Sequence, residues 1–207
     1  MIADLATGHH HDEGRVHPYA LWRLAAPARV VATSPLGGGL GERCWVLNAQ
    51  VDLHYGRTDP HLHLEEIAAG AGAVGPGVGM MTAADLTLGH GDDGGVEAWA
   101  TVGITAPTWA ADADDAISPW APGTINVVVS VPVALGDAAL VNAATTATEA
   151  KTQALFEAGV PGTGTASDAV CILARSEGPP ETFAGPRSAW GARIARAVHA
   201  AVRARLQ

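Results

Sequence analysis

Two segments, residues 96–104 and 124–135, are dense in β-branched residues and bounded by glycine and proline, which predicts buried β-strands. Shorter runs at 19–25, 28–34 and 44–51 read as further strands, the first two separated by Pro27. Residues 169–174 are apolar throughout and predict a short buried strand. Helices are expected at 61–69, introduced by Asp59-Pro60 with Asp59 as cap, and at 137–158, capped by Asp137 and ended by Gly159. A last helix starts at a Ser188 cap and runs to about residue 206. Residues 110–120 form an acidic, irregular segment and read as a loop. Residues 1–16, with three consecutive histidines, predict a mobile leader ahead of a domain over 17–207.

No internal repeat and no linker divides the chain. Strands mixed with two long helices predict a single α+β domain, a layered sandwich of mixed β-sheet covered by helices. Composition supports a proper core, because 48% of residues are hydrophobic and 16% charged. A formal net charge of −9 argues against nucleic acid as the main partner. The basic residues near the C-terminus (Arg187, Arg193, Arg196, Arg203, Arg205) fit the solvated face of a helix. Cys44 and Cys171 are far apart and in no CxxC arrangement, as in a reduced, cytoplasmic protein. The most apolar stretch, residues 125–135, contains Ser130 and Pro132 and falls far short of the ~20 residues that span a bilayer. No signal peptide is evident, so no membrane partner is expected.

Common catalytic signatures fail. The chain has no Gly-Lys dipeptide for a P-loop, no GxSxG elbow and no HExxH helix. Gly70, Gly72 and Gly75 satisfy GxGxxG, but a predicted helix precedes them where the dinucleotide fingerprint needs a strand. The histidines match no zinc spacing, and no metal site is expected. His54, His61 and His63 with nearby carboxylates would be the ligands if the protein were instead a metal-dependent amidohydrolase.

Several small-residue stretches remain as candidate chemistry. Gly37, Gly38 and Gly39 follow a strand end beside Ser34, and their amides can face a polar substrate group or simply make a hairpin turn. Gly79, Met80, Met81 and Thr82 offer adaptable apolar surface or plain core filling. Thr124 and Asn126 share a face of a predicted strand, where Asn126 can orient a substrate amide or stabilise developing negative charge. The 137–158 helix carries a polar stripe of Asn142, Thr145, Thr146, Glu149 and Gln153, suited to substrate hydrogen bonding or to buried helix packing. Thr165 and Asp168 lie in a turn before a buried strand, where Asp168 can act as a general base or make an ordinary hydrogen-bonded turn.

In order along the chain, Ser34–Gly39 (SPLGGG), residues 77–84 (GVGMMTAA), 100–103 (ATVG), 123–126 (GTIN), 147–151 (ATEAK), 162–169 (GTGTASDA) and 185–199 (GPRSAWGARIARAVH) resemble the adenosylcobinamide amidohydrolase family. The likeness runs from about Val31 to Val202 and leaves out the histidine leader and the acidic residues 112–115. It implies cleavage of the amide between a corrin propionate and the aminopropanol arm, with adenosylcobyric acid as product in cobalamin-precursor salvage. A small-molecule corrinoid is then the partner. No cofactor is required, and cobalt enters only within the substrate. On that reading Asp168 or Glu149 activates water, Asn126 and loop amides near Gly38 hold the oxyanion, and His199 protonates the amine. A covalent route through Ser34, Thr124 or Thr165 is the rival. The same groove could also bind a corrinoid without cleaving it. A homo-oligomer is left open.

Overall fold

The computed structural model describes residues 1–113 and 123–206, and the acidic loop expected at 110–120 lies from residue 114 onward outside that description. Among the described residues eight strands form one mixed sheet: β1 (Ile2–Asp12), β2 (Arg15–Ala32), β3 (Gly39–Gln50), β4 (Gly77–Thr82), β5 (Gly89–Asp93), β6 (Val96–Val102), β7 (Ile125–Ala134) and β8 (Ala169–Arg175). Three helices among the same residues cover it: α1 (Pro60–Gly70), α2 (Asp137–Glu157) and α3 (Ala189–Arg203). The strand order is β4-β3-β2-β8-β7-β6-β5, with β1 paired to β2 off that path. The β3/β4 and β7/β8 pairs are parallel, and the remaining pairs are antiparallel.

Alternation along the strands separates two faces. Outward residues of β6, β7 and β8 (Val96, Ala98, Ala100, Val127, Val129, Ile172) pack under α2 and α3 in the largest core cluster. Outward residues of β2 and β3 (Leu21, Trp45, Leu47, Ala49) pack under α1 through Leu64, Ile67 and Ala68. Inward residues of both halves meet in a third cluster: Trp22, Val46, Val78 and Met80 from one side, Trp99, Val128 and Cys171 from the other. Trp22 and Trp99 meet edge to face, with ring centroids 6.0 Å apart. The sheet is therefore bent onto itself without closing, and the layers run α1, strands, strands, α2 with α3. This is the expected α+β layered sandwich. Cys171, sealed in that middle layer, has its thiol pushed up to about 12 by burial.

The bend is made by β2. Its register slips between Arg23 and Ala28, the segment that holds Pro27, which cannot donate a ladder hydrogen bond. Residues 28–34 and 19–25, expected as two strands, are thus one strand with a bulge. The first part lies between β1 and β3, and the second lies between β3 and β8.

Residues expected as a mobile leader form β1 instead, paired to β2 from Ile2↔Leu24 to Asp12↔Arg15. Glu13 (φ 46) and Gly14 (φ 77) make the two-residue turn that fixes this hairpin. β5 was also not expected from pattern, because Gly89, His90, Gly91, Asp92 and Asp93 lack strand formers. Its glycines are needed by contact: a Cβ on Gly89 would lie 2.0 Å from the Ala201 carbonyl oxygen of α3, and one on Gly91 2.1 Å from that of Ala197.

The helix caps follow the sequence in part. Ser188 caps α3 by accepting a hydrogen bond from the Gly191 N–H at 3.0 Å. The N-cap of α2 is Gly136, with Asp137 one position inside the helix and paired with Arg29 at 2.8 Å. Asp59 does cap α1 by position, but its carboxylate is held by Arg57 rather than by the helix N–H groups.

Candidate active site

The parallel strands β7 and β8 begin where the parallel strands β3 and β4 end, and a cavity of about 240 Å³ opens there between the two layers. Thr124, Asn126 and Ser167 line one wall, Met80, Met81 and Thr82 the floor, and Asp52 and Tyr55 the rim. A wider groove of about 670 Å³ lies at the opposite end of the sandwich, by the β2 bulge and Arg175. It gathers none of the motif residues, so the smaller cavity is the better candidate.

A buried polar chain crosses the middle layer beneath this cavity. Asn48 of β3 donates to Thr101 Oγ1 of β6 at 3.1 Å, and Asn126 Nδ2 of β7 donates to Asn48 Oδ1 and to the Met81 carbonyl, each at 2.8 Å. All three side chains are buried. Both amide protons of Asn126 are thereby used, and Met81 fixes the orientation because a carbonyl can only accept. Asn126 Oδ1 is buried with no partner among the described residues. Asn126 can consequently accept from a substrate amide N–H, whereas an oxyanion-holding role would need protons it has already committed.

Asp168 is tied into the wall. Oδ1 accepts from the Ile125 N–H at 2.9 Å and from Thr165 Oγ1 at 2.5 Å, and Oδ2 accepts from the Thr165 N–H at 3.2 Å and pairs with buried Lys151 of α2. Its lone pairs are occupied by groups that hold the 165–168 turn against β7. Thr165 Oγ1 also sits 2.7 Å from the Gly123 carbonyl, and Thr124 Oγ1 lies 2.7 Å from Ser167 Oγ.

The glycine loop closes the wall from behind. Gly37 has φ +67, and a Cβ there would lie 1.9 Å from the Gly77 carbonyl oxygen, so the loop can lie on β4 only with glycine at that position. Arg43 holds it by donating to the Gly37 carbonyl at 2.8 and 3.1 Å. Ser34 Oγ is spent on the Leu36 carbonyl at 2.9 Å, and a Cβ on Gly38 would meet the Ser34 carbonyl, while one on Gly39 would meet nothing. A Cβ on Gly79 would touch Leu64 of α1 and Leu36. Thr82 Oγ1 accepts from the Ala84 N–H at 3.0 Å.

The remaining expected site residues are elsewhere. Glu149 is exposed on α2, away from the cavity lining. His199 of α3 bonds Glu157 at the end of α2 at 2.8 Å, and Gln153 with His199 holds that carboxyl below the usual carboxylate range. Asn142 Oδ1 accepts from the Ala184 N–H at 3.3 Å, and Thr146 donates to the Ala184 carbonyl at 2.8 Å. Thr145 bonds back to the Val141 and Asn142 carbonyls on an exposed face. Asn142 and Thr146 of the α2 stripe thus tie down a loop, and no residue of the stripe lines the cavity.

Four histidine- and tyrosine-bearing positions had no role in the motif reading. His10 of β1, His17 of β2, His63 of α1 and Tyr55 cluster beside the rim. Burial pushes His10 and His63 below the usual imidazole value and Tyr55 above the usual phenol value. His54 and His61 are exposed. Among the described residues no group of three His, Cys, Asp or Glu side chains is placed to hold a metal. No helix among them is long and apolar enough to cross a membrane.

Comparison with known proteins agrees on a family. The family model described as adenosylcobinamide amidohydrolase matches residues 3–207, which includes β1. An adenosylcobinamide amidohydrolase of Methanosarcina mazei is 29% identical over 183 residues, covering 83% of this chain and 87% of that protein. Another, of Halobacterium salinarum, is 42% identical over 86 residues, covering 41% of this chain and 36% of that protein. A solved Burkholderia sp. beta-aminopeptidase is similar in fold, with a TM-score of 0.51 at 15% identity over 99% of this chain and 84% of that one.

Proposed function

The chain belongs to the adenosylcobinamide amidohydrolase family, a family of hydrolases acting on a corrinoid amide, and we propose that it cleaves the amide joining a corrin propionate to aminopropanol. The products are adenosylcobyric acid and the amino alcohol or its phosphate, which a cell can use in salvage or remodelling of cobalamin precursors. Cobalt enters with the substrate, and the protein needs no metal of its own. The compartment is the cytoplasm.

Size and polarity support this reading. The cavity, at about 240 Å³, is below the ~300–1,000 Å³ that encloses a drug-sized ligand whole, so it suits one arm of a corrinoid with the macrocycle resting on the rim. The apolar lining of Met80, Met81 and Ala83 suits the methylenes of such an arm. One observation carries the proposal. Asn126 presents a buried acceptor, Oδ1, that lacks a donor among the described residues. The N–H of a secondary amide is the complement of that atom, and leaving it unmatched costs about 1–3 kcal/mol.

Incubating the purified protein with adenosylcobinamide and following masses tests the proposal. Release of aminopropanol with formation of the cobyric acid is expected, unchanged by a chelator. Stoichiometric corrinoid binding without product would replace it with a carrier role.

A further inference from the structure

Among the described residues that line the cavity, two titrate: Asp52 and Tyr55. The Asp52 carboxylate is engaged, Oδ1 by the His54 N–H at 2.9 Å and Oδ2 by Arg15. The Tyr55 hydroxyl is 3.1 Å from His63 Nδ1, with the two rings parallel within 7° and their centroids 5.6 Å apart. His63 is 3% exposed, and its other nitrogen, Nε2, lies 3.9 Å from Asp12 Oδ1 of β1. A carboxylate on the Nε2 side favours the tautomer protonated there and leaves the Nδ1 lone pair facing the phenol. Carboxylate, imidazole and phenol thus line up from β1 through α1 to the cavity rim.

We infer that Tyr55 is the proton-transferring catalytic residue of this cavity, with His63 and Asp12 acting through it as positioning residues. The inference rests on the amide hydrolysis proposed above. As water adds to the amide carbon, its proton passes to the Tyr55 oxygen while the Tyr55 proton passes to His63 Nδ1. The imidazolium so formed is stabilised by Asp12. When the carbon–nitrogen bond breaks, Tyr55 gives a proton to the departing amine and regains one from His63. The carboxylic acid formed then loses its proton to solvent, and the phenol is neutral before and after.

The environment fits each role. His63 has to begin neutral, and its burial favours that form, with the Asp12 carboxylate opposing. The groups facing it are Asp12 and His10 from β1, Arg57 and Asp59 from the segment before α1, Glu66 of α1 itself, and Tyr55. Protonation of His63 before the reaction blocks the transfer, so turnover has an acidic limb below the ordinary imidazole value of about 6.5.

Steady-state kinetics of Tyr55→Phe and His63→Gln against the wild type test this. Gln can still accept the phenol hydrogen bond but cannot carry the proton. Tyr55→Phe should lower kcat by roughly 10²–10⁴-fold with KM little changed, the usual contribution of a positioned acid–base group. His63→Gln should lower kcat and remove the acidic limb, a change that a merely structural role would leave in place. Near-wild-type kcat in Tyr55→Phe, or an unchanged acidic limb in His63→Gln, overturns the relay while wild-type turnover upholds the hydrolase reading. Absence of product from the wild type overturns both.

Discussion

The β7/β8 wall of the cavity and the ring cluster beside its rim are built on opposite principles. On the β7/β8 wall nearly every polar group is matched: Asp168 holds four donors, Thr124 meets Ser167, and Asn126 spends both amide protons. Beside the rim, between β1, β2 and α1, ionisable rings lie side by side and some polar atoms are buried without partners among the described residues, His10 Nδ1 and His17 Nε2 included. A saturated wall keeps a shape, because each group is worth most where it stands. An unsaturated, titratable cluster can change charge, which catalysis requires. The difference teaches that the carboxylate with the richest hydrogen bonding is the one least free to act as a base.

The largest effect expected is on the saturated wall. Asp168→Asn leaves Lys151 as a buried charge without its counter-ion and should cost about 3–5 kcal/mol of stability, measured by urea denaturation. If that variant keeps its stability and loses only turnover, the division between wall and ring cluster is broken in favour of Asp168 as a base. Asn126→Ala should cost about 1–3 kcal/mol and raise KM for the corrinoid, since it removes both the Asn48 and Met81 hydrogen bonds and the acceptor.

The ring cluster should show itself in pH. His10 and His63 resist protonation when folded, so the unfolded chain binds more protons below about 6.5. Stability is therefore present above that value and lost as pH falls through it toward the depressed folded values. The denaturation midpoint should drop between pH 7 and pH 5, and His10→Gln should flatten the drop. The smallest effects belong to the outer surface. Glu149→Gln should change stability by no more than about 0.5 kcal/mol and leave turnover near wild type, as is usual for an exposed position.

Much of the frame was legible in the sequence because residue type and end signals mark it. β6, β7 and β8 lie where their β-branched and apolar runs place them, α1, α2 and α3 lie where the turn, cap and glycine signals at their ends place them, and the cavity lining draws on the motifs at residues 80–82 and 124–126. β1 was missed because Gly8, His9, His10 and His11 carry no strand preference of their own, and the strand exists through its pairing with β2. The available signal was the Glu13-Gly14 turn. β5 was missed because its glycines answer to the α3 backbone above them, a contact that no local pattern encodes. Tyr55 and His63 are eight residues apart but meet Asp12 only through the hairpin, so their grouping depended on the strand that was missed. The stripe on α2 looked like a binding surface because Asn142 and Thr146 are polar and shielded, and their partner is the Ala184 backbone, 42 and 38 residues on in sequence.

The bulged strand β2 also sets the order in which this molecule can come into being. Its second part pairs with β8, and the Val170 N–H reaches Thr33 Oγ1 across 137 residues of sequence. During synthesis the histidine-bearing hairpin is complete long before the strands it packs against: Trp22 waits for Trp99 of β6, and the second part of β2 waits for β8. Such late closure favours slow, all-at-once assembly over folding by halves. It also means that a chain truncated ahead of β8 would lose the whole cavity and not merely one wall of it.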